Sequence, residues 1–380
     1  MPIQTGTGPV PATPPKRFEI PQIDTIRVLA MLAIFLHHLW KTVIVKPETT
    51  AQSLLDPIFT SASDGVILFN IISGFLLALP HLGPERRPFA GYRFFLTKRF
   101  FRIIPPYYLA LLFFTAANMV CFAYPLVPAL QLMLKNLLFV NSLDYSNMMT
   151  NFSHFWYLGQ LAQFYLLFPP ILSFFLRIGP GRAALSITAL CWSSWVFLAW
   201  LFPAEPGSYP NVTENLMHFN LPGRLPEFAM GMWLASIWNP SAGSARKSIS
   251  NKPFLLFAAC LALYIPVAAP FLKVATLPFV HVFHVAIGLV IFLALFVWNA
   301  AARIGKSALA KDFSEHSYSL YIVHHPFFSY FGVTPATVSH TLGNFALLTG
   351  LLLPVSYVGA RVLDWMSAKI IRRVSDRGKH

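Results

Sequence analysis

Apolar runs long enough to cross a bilayer recur along this chain, separated by short polar stretches. The first, Ile23 to Trp40, is interrupted by Asp24, Thr25, Arg27 and the pair His37-His38. Further runs follow at 65–82, 103–124, 155–177, 184–202, 222–239, 253–271, 276–299, 315–333 and 344–366. Each is near the ~20 residues that about 30 Å of hydrocarbon requires. The pattern predicts an all-α polytopic membrane protein with about ten transmembrane helices. Leu130 to Val140 is shorter and carries Lys135 and Asn136, which suits an interfacial helix better than an eleventh span. Residues 1–20, rich in Pro, Thr and Gly and without an apolar core before Lys16-Arg17, predict a disordered tail and not a cleaved signal peptide. Residues 21–368 then form one membrane domain and residues 369–380 a basic tail.

Composition agrees with that class. Of the residues 56% are hydrophobic and 11% charged, against about 25% charged in ordinary soluble domains. A net charge of +14 would suggest nucleic acid in a soluble protein, but cytoplasmic loops of membrane proteins collect Lys and Arg, and that rule accounts for the excess. Counted over alternate sides, 21 basic residues fall with the N-terminus and four (Lys41, Lys46, Lys135, Lys273) opposite. Both termini are therefore expected in the cytoplasm, with no nucleic acid as partner and the lipid bilayer as surroundings. Cys121, Cys191 and Cys260 sit in apolar runs without paired or metal-binding spacing.

Polar groups inside hydrocarbon are costly and mark candidate sites. Arg27 and His38 are eleven residues apart, which at about 100° per residue returns to within ~20° of one helix face, with ~16 Å between them. His37 points about 80° away from that face. Arg27 is placed to contact an anionic donor or to pair with Asp24; a guanidinium stays charged and is unsuited to proton transfer. The densest basic cluster runs from Arg86-Arg87 through Arg93 and Lys98 to Arg99 and Arg102, ending at Pro105-Pro106. Two readings fit it: ordinary cytoplasmic charge, or a phosphate site in which Arg99 and Arg102, three apart at a helix start, clamp a nucleotide. No Gly-rich phosphate loop accompanies it.

Several segments in order resemble the acyltransferase-3 family of integral-membrane acyltransferases. They are Arg27-x10-His38, Ile72-Ser73-Gly74-Phe75-Leu76, Arg99-x2-Arg102 with Ile103-Ile104-Pro105-Pro106-Tyr107, Phe155-Trp156-Tyr157-Leu158 leading to Gln163-Phe164-Tyr165-Leu166, Arg224-Leu225-Pro226-Glu227-Phe228 with Gly231, and Ser317-Tyr318-Ser319-Leu320-Tyr321-Ile322-Val323-His324. The resemblance implies a ten-helix enzyme, multi-pass in a bacterial inner membrane. It would move an acyl group, acetyl first among candidates, from cytoplasmic acyl-CoA to a hydroxyl of an envelope or exported saccharide or a similar acceptor. Where many members carry acids, this chain has Leu161, Ala162 and Ile67, and no Gly-Asp-Ser motif or appended hydrolase-like domain is expected.

On that reading the catalytic candidates are His38 as general base, Arg27, and Glu227, which would orient His38, bind acceptor hydroxyls or simply pair with Arg224. The donor would be held by Arg99, Arg102, Lys98, Arg93 and Ser73, although close helix packing around Gly74 explains the Ser-Gly-Phe turn equally. Tyr318, Tyr321, His324 and Arg224 are the acceptor-binding candidates. His324-His325-Pro326 predicts a kinked span lining the interior. His281 and His284 lack a carboxylate nearby in sequence, and no metal is expected. Two other classes compete. A secondary transporter or metabolite exporter would show related halves; no internal repeat is present, though Pro169-Pro170 is expected to break a span. A haem protein would need His37, His38, His324 and His325 to converge from two helices.

Overall fold

The computed structural model describes residues 19–84, 86–143, 152–202, 217–238 and 278–377, and these are helical with connecting turns. The helices are α1 (Pro21–Val43), α2 (Thr50–Ser61), α3 (Gly65–Leu82), α4 (Tyr92–Cys121), α5 (Leu126–Leu137), α6 (Trp156–Ile178), α7 (Pro180–Leu201), α8 (Leu221–Ile237), α9 (Pro278–Val297), α10 (Asn299–Lys306), α11 (Ala308–Tyr330) and α12 (Leu342–Arg377). Among the described residues, five segments are long and apolar enough to cross a membrane: Pro21–Val43, Thr50–Leu82, Tyr92–Cys121, Ser153–Ile178 and Leu342–Arg373. The pair His284–Val297 and Asn299–Lys306, bent by 74°, adds a sixth if counted as one broken span. The expected run at 253–271 lies outside the described residues.

Local chemistry sets the helix ends. Proline opens α1 and α7, where its fixed φ suits the first turn and its missing N–H costs nothing. Thr49 and Gln52 form a reciprocal capping box on α2, and the Ser307 hydroxyl accepts from Ala310 N to start α11. Gly179, at φ +91°, both ends α6 and begins α7. A side chain there would be strained, so glycine makes the sharp reversal between the two helices possible.

The interior is built where α1, α3, α8 and α11 meet. Phe35, Phe75, Phe164 and Phe228 are fully buried, and Phe164 stacks on Phe228 with ring centres 3.6 Å apart. The α3–α8 crossing is tight. A Cβ on Gly74 would fall 2.1 Å from Phe228 O, and one on Gly231 2.1 Å from Ile71 O. The Ser-Gly-Phe turn is therefore a backbone-to-backbone crossing that only glycine on both helices permits. Outward positions such as Leu112, Phe113, Leu185, Leu190, Val358 and Trp365 leave large apolar side chains exposed, as a lipid-facing surface requires.

The helices depart from the sequence expectation in four places. The stretch at 83–102, read as a loop, is helical from Tyr92 onward, and α4 continues through Pro105 and Pro106. Likewise α6 runs unbroken through Pro169 and Pro170. Inside a packed bundle, neighbouring helices compensate for the backbone bonds proline removes, so proline does not punctuate as it does in water. The amphipathic α2, with Phe59 against Trp40 and Phe345, lies where the sequence suggested only a loop. Residues 369–377, expected as a tail, continue α12.

Candidate active site

A cavity of about 730 Å³ lies between α1, α3, α4, α6 and α11. Arg27, Arg87, Arg99 and Arg102 give it a cationic wall, and Ser73, Tyr157, Tyr318 and Tyr321 line it from other sides. Glu315 is the one acid among the lining residues. Arg27 is held by Asp24 at 3.8 Å, and Asp24 in turn accepts a 2.7 Å hydrogen bond from Ser314 Oγ. Of the two roles expected for Arg27, the pairing with Asp24 is made, and the side chain also lines the cavity. Arg99 rests against the rings of Phe95 and Tyr165, its guanidinium carbon 5.7 and 5.8 Å from their centres. The Tyr318 hydroxyl donates to Ile103 O at 3.1 Å, tying α11 to α4 beside these cations. Such a wall attracts anions, and the planar guanidinium fork matches phosphate oxygens bidentately.

Arg93 and Lys98 do not line the cavity. Both are exposed, and Lys98 Nζ sits 4.1 Å over the ring of Phe94. With α4 beginning at Tyr92, Lys98 lies about 100° around the helix from Arg99, and Arg93 about 120° from it, so the helix turns them off the face that Arg99 presents. Arg87, just ahead of α4, takes their place.

Beyond Tyr321 lies a cluster of imidazoles. The His38 ring centre stands 5.0 Å from that of His325, 5.3 Å from His324, 5.2 Å from His37 and 6.5 Å from His154. His154 is 5.2 Å from both His324 and His325. Tyr321 joins the two regions: it lines the arginine cavity, its ring is 5.5 Å from His154 and 5.7 Å from His324, and its hydroxyl donates to the backbone oxygen of His154. The two adjacent histidines of α1 do diverge. His37 Nδ1 donates to Phe59 O at 3.0 Å, whereas His38 faces the rings of α11 and of His154. Histidines from α1 and α11 therefore converge, yet among the described residues no group of three or more His, Cys, Asp or Glu is arranged to hold a metal ion.

Glu227 and Arg224 are tied elsewhere. Glu227 is 0% exposed, accepts from Arg224 at 2.8 Å and from Asn70 Nδ2 at 2.5 Å, and so bridges α8 to α3. Arg224 also donates to His218 O at 2.7 Å, and its guanidinium lies 5.6 Å from the centre of Trp156. Of the alternatives open for Glu227, the pairing with Arg224 is the one these contacts make.

Arginines wall one region, imidazoles fill the other, and Tyr321 borders both. The model of the acyltransferase-3 family, described as an acyltransferase domain, matches residues 20–361. The chain belongs to the acyltransferase-3 family. No curated protein and no solved structure matches it. The matched range takes in α1 to α11 and most of α12, so the acyltransferase domain and the membrane bundle are the same object, and the acyltransferase is an integral membrane protein.

Three residues of the acyltransferase were not anticipated in the settings they occupy. His154 directly precedes the Phe155-Trp156-Tyr157-Leu158 segment, and a lone histidine opening an apolar run was the available signal. Arg87 was one of a cluster whose members could not be ranked before the start of α4 was known. Asp64 is the third: His284, expected to lack a carboxylate, has its Nδ1 2.6 Å from Asp64 Oδ2. Sequence proximity cannot reveal a pair 220 residues apart. The side chain of His281 lies outside the described residues.

Proposed function

We propose that this acyltransferase takes an acyl group, acetyl first among candidates, from cytoplasmic acyl-CoA and places it on a hydroxyl of an envelope or exported saccharide or similar acceptor. The observation that carries the reading is the adjacency of the arginine-walled cavity to the histidine cluster through Tyr321. In this reading the chain spans the inner membrane about ten times with both termini cytoplasmic, because the basic residues that wall the cavity belong to the side richer in Lys and Arg.

Arg99, Arg102 and Arg87 take the phosphates of the coenzyme, and Arg27, deeper along α1, neutralises charge near the thioester. His38 in its neutral form accepts the proton of the acceptor hydroxyl as that oxygen attacks the thioester carbonyl carbon. The C–O ester bond forms, the C–S bond breaks, and the departing thiolate takes the proton back from the imidazolium. The experiment is thiol release from acetyl-CoA by the purified protein in detergent, with hydroxyl-bearing acceptors. Release that depends on acceptor and on His38 supports the reading; transport of a solute with no thiol release would replace it with a carrier.

A further inference from the structure

The histidine cluster holds two imidazoles whose hydrogen-bonding state the backbone decides. His154 Nε2 is 3.1 Å from Ile322 O, and His324 Nδ1 is 2.8 Å from Tyr321 O. A carbonyl oxygen only accepts, so each of these ring nitrogens carries the hydrogen. In a neutral imidazole the other nitrogen is then a bare lone pair. Those other nitrogens, His154 Nδ1 and His324 Nε2, are buried and have no hydrogen-bond partner among the described residues. The two residues are 1% and 0% exposed, with ring centres 5.2 Å apart. Two lone pairs cannot satisfy each other. Each lacks a donor among the described residues, and buried acceptors are rarely left without one.

We propose that His154 and His324 form the acceptor subsite and hold a neutral compound bearing two neighbouring hydroxyls, each hydroxyl donating to one bare nitrogen. This rests on the proposed transfer to a hydroxyl and adds His154 as a specificity-determining residue. The surroundings favour an uncharged ligand. Phe155 is 4.4 Å and Tyr321 5.5 Å from His154, and Phe35 and Phe328 are 6.2 and 6.0 Å from His324. These rings surround the imidazoles with apolar surface, and the lone pairs repel an anion and reward hydroxyl donors. His38, 5.3 Å from His324 and 6.5 Å from His154, stands where it reaches a hydroxyl of a compound so held. A site built to bond a substrate hydroxyl rejects the analogue lacking it, because its buried polar atom is then left unpaired.

The test uses the full-length protein in detergent and two matched probes, cis-cyclohexane-1,2-diol and cyclohexanol, which differ by one hydroxyl. Binding is read by saturation-transfer NMR without any donor, and transfer by thiol release with acetyl-CoA. The wild-type protein is expected to bind the diol at least ~10-fold more tightly than the mono-ol. His154→Phe and His324→Phe should each bring that ratio close to one without changing the affinity for acetyl-CoA. His154→Gln, whose amide can donate to Ile322 O and still offer an acceptor oxygen, should keep part of the preference, and it guards against a merely misfolded Phe variant. A wild-type protein that does not prefer the diol, or a preference that survives in folded His154→Phe, overturns the proposal. Diol preference without thiol release would leave the subsite standing and sink the acyl-CoA reading instead.

Discussion

Among the cluster's imidazoles, His37, His154 and His324 each spend a ring N–H on a backbone carbonyl, of Phe59, Ile322 and Tyr321 respectively. Their tautomers are fixed. The ring of His38 makes no such bond among the described residues, so either nitrogen can gain and lose a proton, which a base that cycles between neutral and charged forms needs. His38→Ala is therefore expected to lower transfer by about 10²- to 10⁴-fold while leaving the affinity for acyl-CoA nearly intact. His37→Ala should cost far less in rate. Steady-state kinetics on both variants decide it, and a dead His37 variant beside a normal His38 variant would end the assignment. Because only neutral imidazole accepts a proton, the rate should fall as the medium is acidified, and the acid limb should vanish from the residual activity of His38→Ala. At the cavity's other end, Ala at both Arg99 and Arg102 should raise KM for acyl-CoA by about tenfold or more, since each removes a proposed charge-assisted contact to phosphate. An unchanged KM would remove the phosphate role.

At the scale of elements, the α3–α8 crossing is held by two kinds of contact that respond differently to mutation. The glycine contact is steric. With Phe228 O 2.1 Å from an added Cβ at Gly74, Gly74→Leu must push two backbones apart, whereas Ser73→Ala leaves the crossing intact. Detergent thermal unfolding should show a large drop in Tm for the first and little for the second. A covalent acyl group found on Ser73 during turnover would give that residue a chemical task instead. The polar contact is the buried Arg224–Glu227–Asn70 bridge. Glu227→Ala strands a guanidinium that is only 6% exposed, which costs about 3–5 kcal/mol in comparable buried pairs. Loss of stability in Glu227→Ala, with transfer largely restored by Glu227→Gln, would identify a packing role; full stability with lost transfer would return Glu227 to the chemistry.

What could be read from the sequence at each scale follows from the range of the forces involved. The Arg27–His38 face, the Gly74 packing and the shared face of Arg99 and Arg102 are helix-periodic and thus local. They were legible once the period was known. The start of α4, the persistence of α4 and α6 through tandem prolines, and the helix α2 depend on neighbours that satisfy or cover them, so local rules misplaced them. The pairs Asp64–His284 and His154–Ile322, 220 and 168 residues apart, exist only through tertiary packing.

For the molecule as a whole, the decisive property is that the arginine cavity and the histidine cluster are neighbours but not the same space, with Tyr321 between them. In the proposed transfer, a donor too polar to cross hydrocarbon and an acceptor of similar polarity meet only if each comes from its own side. In the proposed topology the asymmetry of basic residues assigns the arginine side to the cytoplasm. Sealed vesicles of known orientation test this without identifying the acceptor. Acetyl-CoA is membrane-impermeant, so added outside it should be consumed by inside-out vesicles and ignored by right-side-out ones. Permeabilising the right-side-out vesicles should restore consumption to the inside-out level. Consumption by intact right-side-out vesicles would place the arginine cavity on the outer face, reverse the topology and remove the route by which a cytoplasmic donor reaches His38.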